Sequence, residues 1–254
     1  MKNSLLKIFA LITYVAMVTV NFLANSLPIN QRSTGDISDA YQNLFAPAGL
    51  TFSIWGLIYL LLAGYVIYQF IKSNPEKEKV VNQINPLFIA TSIANILWIF
   101  AWHYDYIALS VLIMVALLFL LIKIADVIRV SKFSAVEKLF IKTPFSIYFG
   151  WITVATIANI TVFLVSLNWN GFGISAYVWT SIVLLVGALI GILRMNKDRN
   201  IAYGLVLVWA YLGILLKHVS AAGFNGKYPN VIVTVILCLV LFIFFIGRII
   251  YKNK

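Results

Sequence analysis

Residues 107–142 read IALSVLIMVALLFLLIKIADVIRVSKFSAVEKLFIK. From 107 to 125 the stretch is apolar apart from Ser110 and Lys123, and the remainder, 126–142, carries Arg129, Lys132, Lys138 and Lys142. A bilayer core of about 30 Å takes about 20 apolar residues as a helix, so this reads as one membrane span opening into a cationic connection. Working outward, comparable runs occupy 8–25, 51–71, 86–102, 143–167, 174–193, 200–217 and 231–247. Composition agrees: 62% of residues are hydrophobic, 11% are charged and the mean hydropathy is +0.96, whereas soluble domains carry roughly a quarter charged residues. The expected fold is all-α, a polytopic membrane bundle of eight transmembrane helices. Those spans take up most of the 254 residues and leave no room for a separate soluble domain.

A net charge of +11 would suggest nucleic acid in a soluble protein, but here the cations sort by connection. Lys2 and Lys7 precede the first span; Lys72, Lys77 and Lys79 follow the second; Lys123, Arg129, Lys132, Lys138 and Lys142 follow the fourth. Arg194, Lys197 and Arg199 follow the sixth, and Arg248, Lys252 and Lys254 close the chain. Arg32, Lys217 and Lys227 alone lie in the alternate gaps. Because cytoplasmic loops collect Lys and Arg, both termini are expected in the cytoplasm, with the lipid bilayer and no nucleic acid as partner. A signal peptide is the rival reading of the first run, with Lys2 and Lys7 as n-region and Ala24-Asn25-Ser26 as cleavage site. The run exceeds the roughly 7 to 15 residues of an h-region, which favours a retained span. With no transit peptide ahead of it, the expected location is a bacterial plasma membrane. The lone Cys238 reads as a small buried hydrophobe.

Asp105, Asp126, Lys123, Lys217, His103 and His218 all fall near span ends. Coupled transporters and voltage sensors place ionisable groups at membrane depth, and hydrolytic or metal-dependent chemistry needs a base or a ligand cluster. His103 and His218 lack HExxH spacing. The expectation is no enzyme, no metal and no cofactor.

What the interior does contain is amides and aromatics on helical faces. Asn95, Trp98 and Trp102 stand at i, i+3 and i+7; Tyr148, Trp151, Ala155 and Asn159 at i, i+3, i+7 and i+11. Each set forms one stripe, and an Asn amide in hydrocarbon favours a protein-facing position. Phe52, Trp55 and Tyr59 add a third stripe. At about 1.5 Å rise per residue, Asn95 and Asn159 lie some ~12 Å below the outer surface, with Trp55, Trp98 and Trp102 nearer to it and Trp151 deeper as a floor. The connection from Ser26 to Leu50 is long enough to suggest function or disorder; it reads either as a lid over this layer or as a solvated linker. Interfacial belts are the better explanation of Trp102, Trp169 and Trp179, and an interhelical hydrogen bond is an equal alternative for Asn95 and Asn159.

The segment Phe45-Ala46-Pro47-Ala48-Gly49-Leu50-Thr51-Phe52-Ser53-Ile54-Trp55-Gly56-Leu57-Ile58-Tyr59 resembles the second-helix signature of the tryptophan-rich sensory protein (TspO/MBR, peripheral benzodiazepine receptor) family. Asn95-Ile96-Leu97-Trp98 resembles its Asn-x-x-Trp motif, and Trp151 with Ala155, Thr156 and Asn159 its fifth-helix pattern. The chain departs in having Pro47-Ala48-Gly49-Leu50 where the family usually has two prolines, a small residue and Trp, and Pro144 lies farther from Trp151 than usual. The resemblance implies a five-helix bundle over residues 1–169, its pocket closed by the loop at 26–50, followed by three additional transmembrane helices over 170–254. These either enlarge the bundle, cover a surface that shorter members use to dimerise, or form a second unit, so a homodimer stays open.

By the same resemblance the pocket binds a tetrapyrrole such as protoporphyrin, or another apolar, sterol-like or drug-like molecule. The implied contacts are Trp55, Tyr59, Asn95, Trp98, Trp151, Ala155 and Asn159, with Phe52, Trp102 and Tyr148 as walls. The leading expectation is an integral membrane receptor or sensor without a chemical step. The alternatives are a small-solute carrier, which Gly150, Gly187, Gly191, Gly204 and Gly213 would serve if they broke their helices, and an enzyme that modifies a bound tetrapyrrole.

Overall fold

The computed structural model describes residues 2–27, 29–71 and 75–252, with side chains from residue 4 onward. Lys72 and Lys254, counted above among the cytoplasmic cations, lie outside the described residues, as does the side chain of Lys2. The helices are α1 (Lys2–Ser26), α2 (Thr34–Ala40), α3 (Ile54–Tyr68), α4 (Pro75–His103), α5 (Ile107–Val130), α6 (Ala135–Glu137), α7 (Thr143–Ser166), α8 (Ala176–Asp198), α9 (Ile201–Val219) and α10 (Pro229–Lys252). A 3-10 turn, Gly49–Ser53, extends α3, and a π-helical turn, Lys138–Lys142, joins α6 to α7. With those extensions, eight helices are long and apolar enough to cross a membrane, and no strand occurs among the described residues. The protein is an integral membrane helical bundle whose even number of spans leaves both chain ends on one face, called here the near face.

The main departure from the hydropathy reading is α4, which starts at Pro75 rather than 86. Residues 75–85 are too polar to register as membrane-embedded, yet they begin with a proline that suits the first helical turn and carry Glu76 and Glu78 where the helix macrodipole favours acid. Lys77 then donates to the carbonyls of Tyr68 and Ile71 at 3.0 and 3.1 Å, closing the C-terminus of α3. Elsewhere on the near face α5 and α8 are clasped by ions: Arg194 donates to Asp198 at 2.6 Å and to Asp126 at 3.0 Å. These charges sit in the last turns of their helices, as expected of ionisable groups in a bilayer.

Large side chains fill the near half of the bundle. Tyr65, Phe88 and Phe145 meet edge to face at 4.8 to 5.5 Å, all within 2% of complete burial. The Tyr65 hydroxyl is satisfied by Asn85 at 2.6 Å, so this layer carries no stray polarity. Helices α7, α8 and α9 run unbroken through the glycines that a carrier reading would have used as breaks. Gly150 instead permits close approach: a Cβ there would lie 2.9 Å from Val206 Cβ and 3.1 Å from the Tyr203 carbonyl. Cys238 is fully buried in α10, as a small hydrophobe would be.

The connection between α1 and α3 is folded rather than a solvated linker. Ser33 caps α2 and exchanges hydrogen bonds with Asp36 in a capping box; Ile37, Leu44, Phe45 and Ala46 are buried. From α4, His103 bonds the Ile29 carbonyl and the Thr34 hydroxyl, both at 3.0 Å, and Trp102 donates to the Thr34 carbonyl at 3.2 Å. From α9, His218 bonds the Leu44 carbonyl at 2.9 Å, the Gly213 carbonyl accepts from the Ala48 amide at 3.0 Å, and Trp209 donates to the Thr51 carbonyl at 2.9 Å. The segment is a roof fixed at both edges, and one edge belongs to the last three helices.

Gly213 packs so closely on Thr51 that any added Cβ would collide with the threonine side chain. Gly213→Val is therefore expected to destabilise the protein by about 1–3 kcal/mol through overpacking, seen as a lower thermal-unfolding midpoint in detergent. A midpoint equal to that of the parent would contradict the contact.

Candidate ligand pocket

Two adjoining chambers lie under the roof, in the half of the bundle away from the chain ends. Their common wall is Phe52, Trp55, Trp98 and Thr34. The smaller, about 60 Å³, lies between α3, α4 and α7 and is completed by Trp102, Trp151, Ala155 and Asn159, with Ala46 and Pro47 from the roof. The larger, about 290 Å³, lies between α1, α3 and α4 and is completed by Asn21, Asn25 and Tyr59 with roof residues 33–35. The first is almost wholly apolar; the second mixes amides and hydroxyls with aromatic faces.

The stripes read from sequence meet here because an amide orients each one. Trp98 donates its indole N–H to Asn159 Oδ1 at 2.9 Å, and the Asn159 amide donates to the Ser110 hydroxyl at 2.9 Å, so α4, α5 and α7 share one junction. Ser110 passes its own proton to the Ile107 carbonyl at 2.7 Å, which completes the set. Trp98 then stacks on Trp102, with centroids 5.5 Å apart and planes 22° apart. On the opposite wall Trp55 stacks on Tyr59 at 5.4 Å and meets Trp151 edge-on at 6.2 Å, while Phe52 meets Trp151 at 5.9 Å. Edge-to-face and offset pairs of this kind are the favoured aromatic geometries.

Of the ten residues expected at the site, Phe52, Trp55, Trp98, Trp102, Trp151, Ala155 and Asn159 line the smaller chamber, and Tyr59 lines the larger. Asn95 and Tyr148 stand behind the wall. Asn95 accepts from Asn21 at 2.6 Å and donates to the Tyr148 hydroxyl at 3.4 Å, and both are fully buried. Tyr148 in turn meets the edge of Trp55 at 6.0 Å. Their contribution is to hold the aromatic wall. Trp102, for which an interfacial belt is the better explanation from sequence, is instead 4% exposed and bonded to the roof. Trp169 and Trp179 do cluster away from the pocket, with Phe172.

Sequence reasoning named Asn95 and Asn159 and missed Asn21, which lines the larger chamber with Asn25 one turn beyond it. The signal was available: both stand at i, i+4 at the end of the first apolar run. It also missed the roof residues that touch the chambers, whose polar side chains resemble those of any loop.

One polar atom in the wall is unsatisfied. Trp151 Nε1 is buried and has no hydrogen-bond partner, in a protein where the indoles of Trp98, Trp102, Trp179 and Trp209 all donate. A buried donor without an acceptor costs about 1–3 kcal/mol. No group of His, Cys, Asp and Glu able to hold a metal occurs among the described residues. The arrangement can therefore enclose an apolar molecule between aromatic faces.

Among known proteins, no curated sequence and no solved structure matches this chain. A family model described as TSPO-like protein matches residues 7–248. That match reaches into all eight spans, beyond the first five that carry the recognisable motifs. The chain belongs to the TSPO-like protein family.

Proposed function

We propose that the protein is a membrane receptor or sensor that takes an apolar small molecule, porphyrin-like or otherwise, into the roofed pocket and performs no chemical step on it. The observation that carries this reading is the unpartnered indole N–H of Trp151 in an aromatic wall beneath a folded roof, a donor that a ligand's acceptor would satisfy. The larger chamber, about 290 Å³, approaches the lower end of the roughly 300–1,000 Å³ of small-molecule sites. A tetrapyrrole would need both chambers, its face against Trp55 and Trp98. The closed aromatic layer of Tyr65, Phe88 and Phe145 beneath the pocket favours binding over passage. Under the positive-inside rule the near face is cytoplasmic and the roof lies outside a bacterial plasma membrane.

In a titration of protoporphyrin followed by tryptophan fluorescence, Trp151→Phe keeps the ring and removes the donor. Its affinity is expected to fall by about 2- to 12-fold, the worth of one hydrogen bond, with unchanged helical circular dichroism. Parent-like affinity would remove Trp151 from the site.

Reconstituted in liposomes, the protein is expected to bind labelled ligand to a saturating stoichiometry without accumulating it in the lumen, and to leave the ligand's absorbance spectrum unchanged in light and darkness. Uptake beyond stoichiometry would mark a carrier, and a changing spectrum an enzyme.

A further inference from the structure

On the near face, at the opposite end of the bundle from the pocket, cations outnumber their partners. A notch where α5, α7 and α8 end is lined by Arg129, Lys142, Ser146 and Asp198. Around it two acids meet two arginines: Arg194 bonds Asp198 at 2.6 Å and Asp126 at 3.0 Å, and Arg129 Nε stands 3.8 Å from an oxygen of each. Those charges balance, but 3.8 Å is beyond hydrogen-bond distance, and the Arg129 guanidinium donates to no group among the described residues. Lys142 is the surplus charge. It stands half-buried immediately before α7, and its ammonium has neither ion pair nor hydrogen bond among the described residues. A cation that loses hydration without gaining a partner is costly, so this place in the fold favours an incoming anion.

The connection from α5 to α7 extends the imbalance. Residues 131–142 carry Lys132, Lys138 and Lys142 against one acid, Glu137. Glu137 is held in a capping box, accepting from the Ser134 amide at 2.7 Å. Lys132 and Lys138 are exposed, and so are the apolar side chains of Val130, Val136 and Leu139 among them. Cations interleaved with apolar groups suit a surface that is anionic at the head groups and hydrocarbon just beneath. The roof is arranged the other way, with Arg32 paired to Asp105 and Lys217 to Asp39 at 3.2 Å. The notch itself measures about 10 Å³, which is water-sized. The Asp198 side chain is 5% exposed and that of Arg129 38%, so the carboxylate is recessed while the guanidinium reaches the mouth. A phosphate would rest at that mouth, on Arg129 and Lys142, with Asp198 behind them already bound to Arg194.

We propose that the mouth of this notch is a binding site for the phosphate of an anionic phospholipid. The planar guanidinium of Arg129 suits two phosphate oxygens at once and Lys142 adds a point charge, while Val130 and Leu139, next to them in sequence, lie against the acyl chains. Those flanking apolar groups assign the site to a lipid and not to free phosphate. A lipid held there ties the end of α5 to the start of α7. The site is independent of the roofed pocket and lies at the other membrane surface.

The test titrates dioleoyl-phosphatidylglycerol, and dioleoyl-phosphatidylcholine as its zwitterionic counterpart, into the full chain in a neutral detergent, with bound lipid counted by native mass spectrometry. The first phosphatidylglycerol is expected to bind about tenfold more tightly than phosphatidylcholine. Lys142→Gln removes a charge that no protein group uses, so the fold should hold with an unchanged unfolding midpoint in detergent; it is expected to weaken phosphatidylglycerol about fivefold, the effect of one cation at a lipid surface. Arg129→Gln should do the same. Lys252→Gln, which removes an equal charge from α10 on the same face, should change the affinity less than about twofold. Equal binding of the two lipids, or a loss in Lys252→Gln as large as that in Lys142→Gln, reduces the site to diffuse attraction and overturns the proposal. Displacement of phosphatidylglycerol by free glycerol phosphate at a similar concentration assigns the notch to a soluble phosphate and overturns it too.

Discussion

A polar side chain inside a bilayer has no water to turn to, and that constraint organises everything built around this pocket. Asn159 is the clearest case. Its amide must be satisfied by protein, and in meeting that need it binds Trp98 of α4 and Ser110 of α5 from its own place on α7. Three helices are thereby fixed in rotation by one residue, and Trp98 is held as the wall between the two chambers. Asn95 does the same one layer over, joining α1 to α4 and α7 through Asn21 and Tyr148. Interhelical hydrogen bonds of this kind are worth only about 1 kcal/mol each. Their larger effect is specificity of register, since rotating any of these helices would strand an amide in hydrocarbon.

The same logic explains why the chain continues past α7. A roof over an open bundle carries backbone groups that need partners, and α4 supplies them along one edge only, through His103 and Trp102. The other edge is supplied by α9: the Gly213 carbonyl, Trp209 and His218 take the segment from Leu44 to Thr51. Gly213 is essential to this arrangement because the Thr51 side chain approaches α9 more closely there than any added Cβ would allow. The last three helices are thus joined to the pocket through its roof, consistent with a family match that does not stop at the fifth span.

How much of this is legible in the sequence depends on which physical signal each part emits. Hydropathy reports contact with lipid, so all eight spans are legible and their cores fall where expected. It is silent where a helix leaves the membrane, which is why hydropathy starts α4 at 86 when Glu76, Lys77 and Glu78 continue it to Pro75. Helical periodicity reports faces, so the stripes of α3, α4 and α7 are legible, including the convergence of Trp55, Trp98, Trp151 and Asn159. Periodicity cannot say whether an inward side chain touches a cavity or stands one layer behind it. Asn95 and Tyr148 have the spacing of wall residues and the position of wall supports. The roof emits neither signal, because its bonds run between backbone carbonyls and side chains far away in sequence.

The position of the pocket is set by how each half of the bundle is closed. On the near face the helices close on themselves: an aromatic layer fills the centre and the ions of Arg194, Asp126 and Asp198 lock the rim. On the opposite side the closure is made by the roof, a separate segment of chain whose contacts lie at its edges. Helices held apart by Trp98, Trp102 and Trp151 leave space between aromatic faces that Ala155 and Ala158 do not fill. Small residues opposite large flat ones create a slot rather than an interdigitated core, and a slot remains only if something other than side-chain packing stabilises its walls. Here the amide bonds of Asn95 and Asn159 do so. The unpartnered indole of Trp151 is then a polar group that the helices leave unsatisfied, on a residue that lines the slot.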